Sequence, residues 1–266
     1  NLLAMRNLIP VFIILLFVGI SCSIPKNQSQ LKFSNSFTQE LSDQAQDGRL
    51  LLMLSNNDKA EPRFQISDGL QTQLVFGIDV EGMKPGQEIT LNNDNTFGFP
   101  IRLINDVPKG EYFVQALINR YETFNLKTGH TVKLPPDQGE GQQWNRKPGN
   151  IYSTPLKVSI DPSKNDVIKI SIDKKIAPIE EVKDSKYVKH IKIQSKLLTE
   201  FWGRPMFVGA HVLVPEGFDE HPDAHYPLMI YHGHFPSDFG GFSTEPPPAD
   251  MDTTDYAARF GIYGYN

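Results

Sequence analysis

Apolar and polar residues alternate with period 2 through much of the middle of the chain. The alternation is clean in LKVSI (residues 156–160) and IKISI (residues 168–172). In EYFVQALINRY, Tyr112, Val114, Ala116 and Ile118 fall on one face, because successive strand side chains point to opposite sides. Two short apolar runs, residues 49–54 and 74–80, precede them; the second ends at the turn signal Gly82-Met83-Lys84-Pro85-Gly86. Pro108-Lys109-Gly110 marks another turn. Short alternating strands between Gly, Pro and Asn turns, without a helical stripe, predict an antiparallel β-sandwich over residues 48–175.

One long loop interrupts this pattern. PPDQGEGQQWNRKPGN, residues 135–150, lies between a strand at residues 131–134 and the next one near Ser153. Loops of this length in compact domains are often functional. Trp144, with Arg146, Asn145, Gln142 and Gln143, offers a stacking surface beside planar hydrogen-bonding groups, a set that suits sugars and aromatic ligands. The alternative is that Trp144 plugs the end of the sandwich or packs on the neighbouring domain.

IAPIEEVKDS, residues 176–185, reads as a linker, and the pattern changes after it. Three strands are expected at residues 187–195, 207–214 and 228–231. The third is short, apolar and not alternating, the pattern of a strand buried on both faces of a mixed sheet. TTDYAARF then predicts a short helix, with Thr253 or Thr254 as N-cap and Gly261 as its stop. Strands that lead to a buried strand, a glycine loop and a helix are how an α/β domain begins.

The N-terminus carries a different signal. Arg6 precedes an apolar run, residues 8–21, of signal-peptide length and short of the ~20 residues of a membrane span. It ends at Cys22, the only cysteine in the chain, with Ser21 before it and polar sequence after it. This arrangement resembles a bacterial lipoprotein signal, in which Cys22 would be lipidated and would attach the protein to a membrane. A plain cleaved secretory signal is the alternative reading. Both make residues 1–22 a signal peptide and place the protein in the periplasm, on the outer membrane or outside the cell. Residues 23–47, rich in Ser, Gln and Asn, are expected to be a polar tether. A single cysteine excludes a disulfide within the folded part. The net charge of −5 gives no electrostatic reason to expect nucleic acid, and the one basic run, KDSKYVKHIK at residues 183–192, reads as the exposed face of a strand, with a binding patch as the alternative.

The candidate chemistry sits in YPLMIYHGHFPSDFGGF, residues 226–242. Ester hydrolysis by a serine builds negative charge on the carbonyl oxygen, which pre-aimed backbone N–H groups must meet. A glycine loop at the end of a buried strand can supply them. The order of motifs supports this. Ser195-Lys196-x-Leu198 is followed by Val212-Leu213-Val214-Pro215-Glu216-Gly217-Phe218-Asp219, and then by Tyr226-Pro227-Leu228 running into His232-Gly233. Residues 187–242, about a fifth of the chain, thereby resemble the opening of the esterase D and enterochelin esterase-like group of α/β-hydrolases. Members typically show a VxLPxGYD…YPxxxxxHG pattern. The resemblance implies an immunoglobulin-like β-sandwich followed by the truncated start of an α/β-hydrolase domain, residues 186–266. It implies a serine esterase without cofactor, acting on a small-molecule or sugar-linked ester. Gly233 and His234 would provide the oxyanion-hole backbone, and Phe235, Phe239, Gly240 and Gly241 would line the substrate pocket. His232 would be structural.

One element of the family pattern is missing: no G-x-S-x-G nucleophile motif occurs in the chain. The segment NLLA precedes Met5, a start-codon candidate. The expectation is therefore the N-terminal part of a longer reading frame, inactive alone. Two other readings stay open. His232 and His234, two apart at a strand end, could hold a metal with Asp238, as in metal-dependent hydrolases. The sandwich alone could be a surface binding module, with Trp144 and Arg146 as its contact loop.

Overall fold

The alternating segments become strands whose apolar faces meet in one core. The computed structural model describes residues 31–233 and residue 239. The strands of the first unit are β1 (Lys32–Phe37), β2 (Gln46–Ser55), β3 (Leu74–Met83), β4 (Ile89–Leu91), β5 (Phe97–Phe99), β6 (Gly110–Arg120), β7 (Glu122–Asn125), β8 (Thr131–Leu134), β9 (Ile151–Tyr152), β10 (Leu156–Ile160), β11 (Val167–Ile172) and β12 (Lys174–Lys175). The larger sheet runs β12-β9-β6-β2-β3-β5, with β10 also on β6. The smaller runs β11-β1-β4, and β7 pairs with β8. Leu50, Leu52, Leu54, Phe76, Ala116 and Ile118 of the larger sheet share a core with Phe33, Phe37, Leu91, Ile170 and Ile172 of the smaller. The described chain is mostly β, in several sheets, as the expected sandwich requires.

The folded unit takes in more chain than the sequence suggests. Residues 32–37 were expected in the polar tether, yet they form β1, the middle strand of the smaller sheet. β1 runs parallel to β11, from Lys32↔Val167 to Phe37↔Ile172, and antiparallel to β4. Phe33 and Phe37 are fully buried. The polar residues between them are accommodated by hydrogen bonds: the Ser34 hydroxyl donates to Glu88 (2.7 Å), and Asn35 Nδ2 donates to the Phe33 carbonyl (3.0 Å). Those serines and asparagines conceal the strand from a pattern reading.

Two irregularities shape the larger sheet. The register of β2 on β3 slips between Gln46 and Gly48. At this bulge Asp47 accepts from the Gly82 N–H (2.6 Å) and pairs with Lys133 (3.0 Å). On β6, one edge is shared in succession: β10 covers residues 110–114 and β9 covers residues 117–118. Ser153 spans the junction. Its N–H donates to the Ala116 carbonyl (2.8 Å), and its hydroxyl accepts from the Ala116 N–H (3.0 Å).

After residues 176–185, which carry no regular structure, β13 (Val188–Gln194) and β14 (Phe207–Leu213) pair antiparallel, joined through a short helix, α1 (Lys196–Trp202). Ser195 caps α1 by accepting from the Leu198 N–H, and Gly203 ends it in the left-handed region (φ 65°). That glycine is required twice over, since a Cβ there would lie 2.7 Å from the Asn125 carbonyl oxygen. The α1 end sits against the β7–β8 hairpin. Phe124 meets Trp202 edge-on (5.3 Å), Arg204 pairs with Glu122, and the Lys127 N–H donates to the Phe201 carbonyl (2.9 Å).

The third expected strand is not formed. Residues 228–231 carry no strand, and Leu228, Met229, Ile230 and Tyr231 are 78–89% exposed. A buried strand needs partners on both edges and packing on both faces; β13 and β14 pair with each other and provide neither among the described residues. The helix expected at residues 253–260 lies outside the described residues.

Candidate functional site

The described residues reach only the start of the glycine loop. His232 is exposed and Gly233 half-buried, and neither has regular structure. Phe239 is 38% exposed. His234, Phe235, Asp238, Gly240 and Gly241 lie outside the described residues, as does Cys22 with the whole of residues 1–30. Among the described residues no group of three His, Cys, Asp or Glu side chains is placed to hold a metal ion. No described helix is long and apolar enough to cross a membrane. The turn ahead of the loop is well formed: Gly217 is left-handed (φ 74°), residues Phe218–Glu220 make a 3-10 turn, and Glu216 holds both Lys186 and Tyr187.

The other candidate, the loop at residues 135–150, is built in detail. β6 presents Gln115, Leu117 and Asn119 away from the core, since Ala116 and Ile118 point into it. The loop is tied to this outer face. Asn150, fully buried, accepts from the Arg120 N–H (2.9 Å) and donates to the Trp144 carbonyl (2.8 Å). Lys147 is buried and donates to the Arg120 carbonyl (2.7 Å). Burial holds its ammonium below the ordinary lysine range, against the opposing pull of Glu140.

The anchor of the arrangement is Arg63, in the turn Pro62–Phe64. Its Nε donates to Glu61 (2.9 Å) and its Nη1 to the Asn145 carbonyl (2.9 Å). Its guanidinium lies 4.0 Å from the centre of the Tyr152 ring, a close cation–π contact. Gln115 completes the cluster. Its Oε1 accepts from the Arg63 N–H (3.0 Å), and its Nε2 donates to Glu61 (2.8 Å) and to the Ser153 carbonyl (2.9 Å). One arginine and one glutamine thus join the turn, β6, β9 and the long loop. Burial alone would raise the Glu61 carboxyl, but hydrogen bonds from Gln115 and Arg63 outweigh it and hold Glu61 below the usual carboxylate range.

The two residues named from sequence are placed differently in this loop. Trp144 is half-buried, with its carbonyl held by Asn150; Arg146 is exposed, 5.6 Å over the Phe64 ring. The polar groups of Glu61, Arg63 and Gln115 are committed to one another. Their chemistry is that of positioning, and what the loop leaves to a ligand is the rim formed by Trp144, Arg146 and Phe64. Sequence reasoning missed Arg63 and Gln115. The one available signal was Gln115, a polar residue in the apolar middle of β6, on the face opposite the alternating apolar positions.

A pH dependence follows from Glu61. A carboxyl whose folded pKa is depressed contributes stability that is present above its unfolded pKa of about 4.3 and is lost as pH falls through the folded value. The melting temperature should therefore fall between about pH 5 and pH 3. Glu61→Gln should melt lower at pH 7 and show a shallower acid decline, as followed by circular dichroism across that range.

The chain matches no protein-family model, no curated protein and no solved structure.

Proposed function

We propose that this chain is the N-terminal part of an exported, lipid-anchored serine esterase. On this reading an immunoglobulin-like sandwich precedes an α/β-hydrolase domain that opens at β13. The observation that carries it is the run at residues 228–231. Four consecutive apolar side chains stand almost fully in solvent directly ahead of His232-Gly233. Burying a side chain of this kind is worth about 1.5–3 kcal/mol, so a run of four has a strong drive to enter a larger sheet. A central strand of a hydrolase sheet, leading into an oxyanion loop, gives it such a place. The antiparallel pair β13–β14 and the left-handed turn at Gly217 suit the edge of that sheet. The immunoglobulin-like assignment is supported by Tyr112. Its hydroxyl donates to the Pro108 carbonyl four residues upstream (2.8 Å), in the manner of a tyrosine corner.

In this mechanism a serine downstream, in a G-x-S-x-G turn, attacks an ester carbonyl. The backbone N–H groups of Gly233 and His234 meet the charge that develops on its oxygen. Phe235, Phe239, Gly240 and Gly241 line the pocket, and no cofactor is required. The substrate class is a small-molecule or sugar-linked ester, and Cys22 carries the anchor.

The test is to express the complete reading frame that contains this segment and to assay p-nitrophenyl acetate hydrolysis and fluorophosphonate labelling. The expected result is hydrolysis and labelling of the complete product at a G-x-S-x-G serine, with neither seen for residues 1–266. A complete product that is neither labelled nor active on the ester would overturn the proposal.

A further inference from the structure

The outer face of the larger sheet is half covered and half open. Over β6 and the Met53 end of β2 it is covered: Met53 and Leu117 are fully buried although they lie outside the core cluster, and the turn Pro62–Phe64 packs there. Over the Arg49–Leu51 stretch of β2, and over β3 and β5, it is open. Cross-strand register places Leu51 opposite Gly77 and Gly77 opposite Phe97 in one row, and Val75 opposite Phe99 in the next. Arg49 stands opposite Asp79 in the row beyond. These residues line a hollow of about 380 Å³, within the range of small-ligand sites.

Gly77 makes the hollow. A Cβ at this position would come within 3.2 Å of Leu51 Cδ2, so the missing side chain is the floor between the Leu51 wall and the phenylalanine wall. Phe97 is 72% exposed and Phe99 46% exposed, on the same side of a three-residue edge strand. Two large aromatic rings in solvent side by side are a costly arrangement for a surface that binds nothing. The second unit does not account for them, since its described contacts with the sandwich are made at the β7–β8 hairpin.

The polar end of the hollow selects the occupant. Arg49 Nε and Nη2 both donate to Asp79, at 2.8 and 3.3 Å, and both side chains stay at least half exposed. A paired guanidinium and carboxylate presents donors and acceptors side by side with no net charge. An anion would meet Asp79 and a cation would meet Arg49, each at close range. A neutral ring with adjacent hydroxyls satisfies both, and its apolar C–H face can lie on phenylalanine. We propose that this trough is a binding site for neutral carbohydrate, one or two pyranose rings stacking on Phe97 and Phe99 while their hydroxyls engage the Arg49–Asp79 pair. The site is separate from the loop at residues 135–150 and does not depend on the hydrolase reading.

The test is calorimetric titration of the full 266-residue chain with cellohexaose, xylohexaose and mannohexaose, and with hexagalacturonate as an acidic counterpart. At least one neutral hexaose should bind with sub-millimolar affinity. Phe97→Ala should weaken it by about tenfold, the loss of one stacking face. Gly77→Leu, which fills the floor, should abolish it, while Phe207→Ala, at an exposed aromatic residue on β14 away from the trough, should leave it unchanged. Phe97 is mostly in solvent, so its alanine variant should keep the parent melting temperature and decides the case if Gly77→Leu unfolds. Three results would overturn the proposal: no neutral hexaose binds, binding survives Phe97→Ala, or hexagalacturonate alone binds.

Discussion

Gly48→Ala should strongly destabilise the sandwich. The residue sits at the bulge of β2 with φ 155°, in a region that side chains rarely adopt. A Cβ there would lie 2.1 Å from the Asn119 carbonyl oxygen and 3.1 Å from Arg120 Cα. The obstruction is backbone in a paired central strand, β6, so no rotamer change relieves it. Strained backbone costs about 1–3 kcal/mol and overpacking about as much again, giving a loss of roughly 2–6 kcal/mol. For a domain of this size that lowers the melting temperature by on the order of 10 °C. Thermal unfolding followed by circular dichroism measures it directly. A melting temperature within two or three degrees of the parent, about 1 kcal/mol, would show that β2 and β6 can separate at little cost.

A chain trimmed to begin at Gly48 should fail to fold, whereas one that begins at Leu31 should melt cooperatively. The difference is Leu31, β1 and residues 38–47, which include the first two residues of β2. Leu31, Phe33 and Phe37 are each at most 1% exposed. Burial of three such side chains is worth about 5–9 kcal/mol, comparable with the entire 5–15 kcal/mol stability of a typical domain. Removing β1 also takes the middle strand from the smaller sheet and leaves β4 and β11 without the partner they share. The expected signature for the shorter chain is loss of a cooperative thermal transition and binding of a hydrophobic dye, in contrast to the longer one. A sharp transition from the chain that begins at Gly48 would mean that β1 is an accessory to a core already complete.

These two expectations show where pattern reading works and where it stops. Strands β10 and β11 alternate because one face meets the core and the other meets solvent, and that asymmetry is written directly in the side chains; β6 keeps its core-facing alternation although the turn Pro62–Phe64 and the long loop cover its outer face. β1 is different. Asn35 faces inward between two phenylalanines, so composition points to a tether while tertiary packing makes a strand. α1 was not expected either. KLLTEFW has no buried residue of its own, and the helix is held by Ser195, Gly203 and the β7–β8 hairpin rather than by an apolar stripe. The run at residues 228–231 reads as a buried strand and stands exposed, because burial depends on neighbours that a local window does not contain. For the candidate sites, the loop at residues 135–150 was legible from its length and its tryptophan. Arg63, Gln115 and the open trough at Gly77 were not, since each acquires its meaning only from strand register.

The parallel pairing of β1 with β11 also determines how the sandwich bears load. Its first strand and its last long strand lie side by side and point the same way, in register over six residue pairs. Tension drawn from the chain before Lys32 and the chain after Ile172 pulls these strands in opposite directions along their own axes. The hydrogen bonds of the ladder then resist together in shear instead of opening one at a time like a zipper. A sandwich joined to its surroundings through these two ends is consequently a mechanical clamp, stiffest along the line that runs from one attachment to the other.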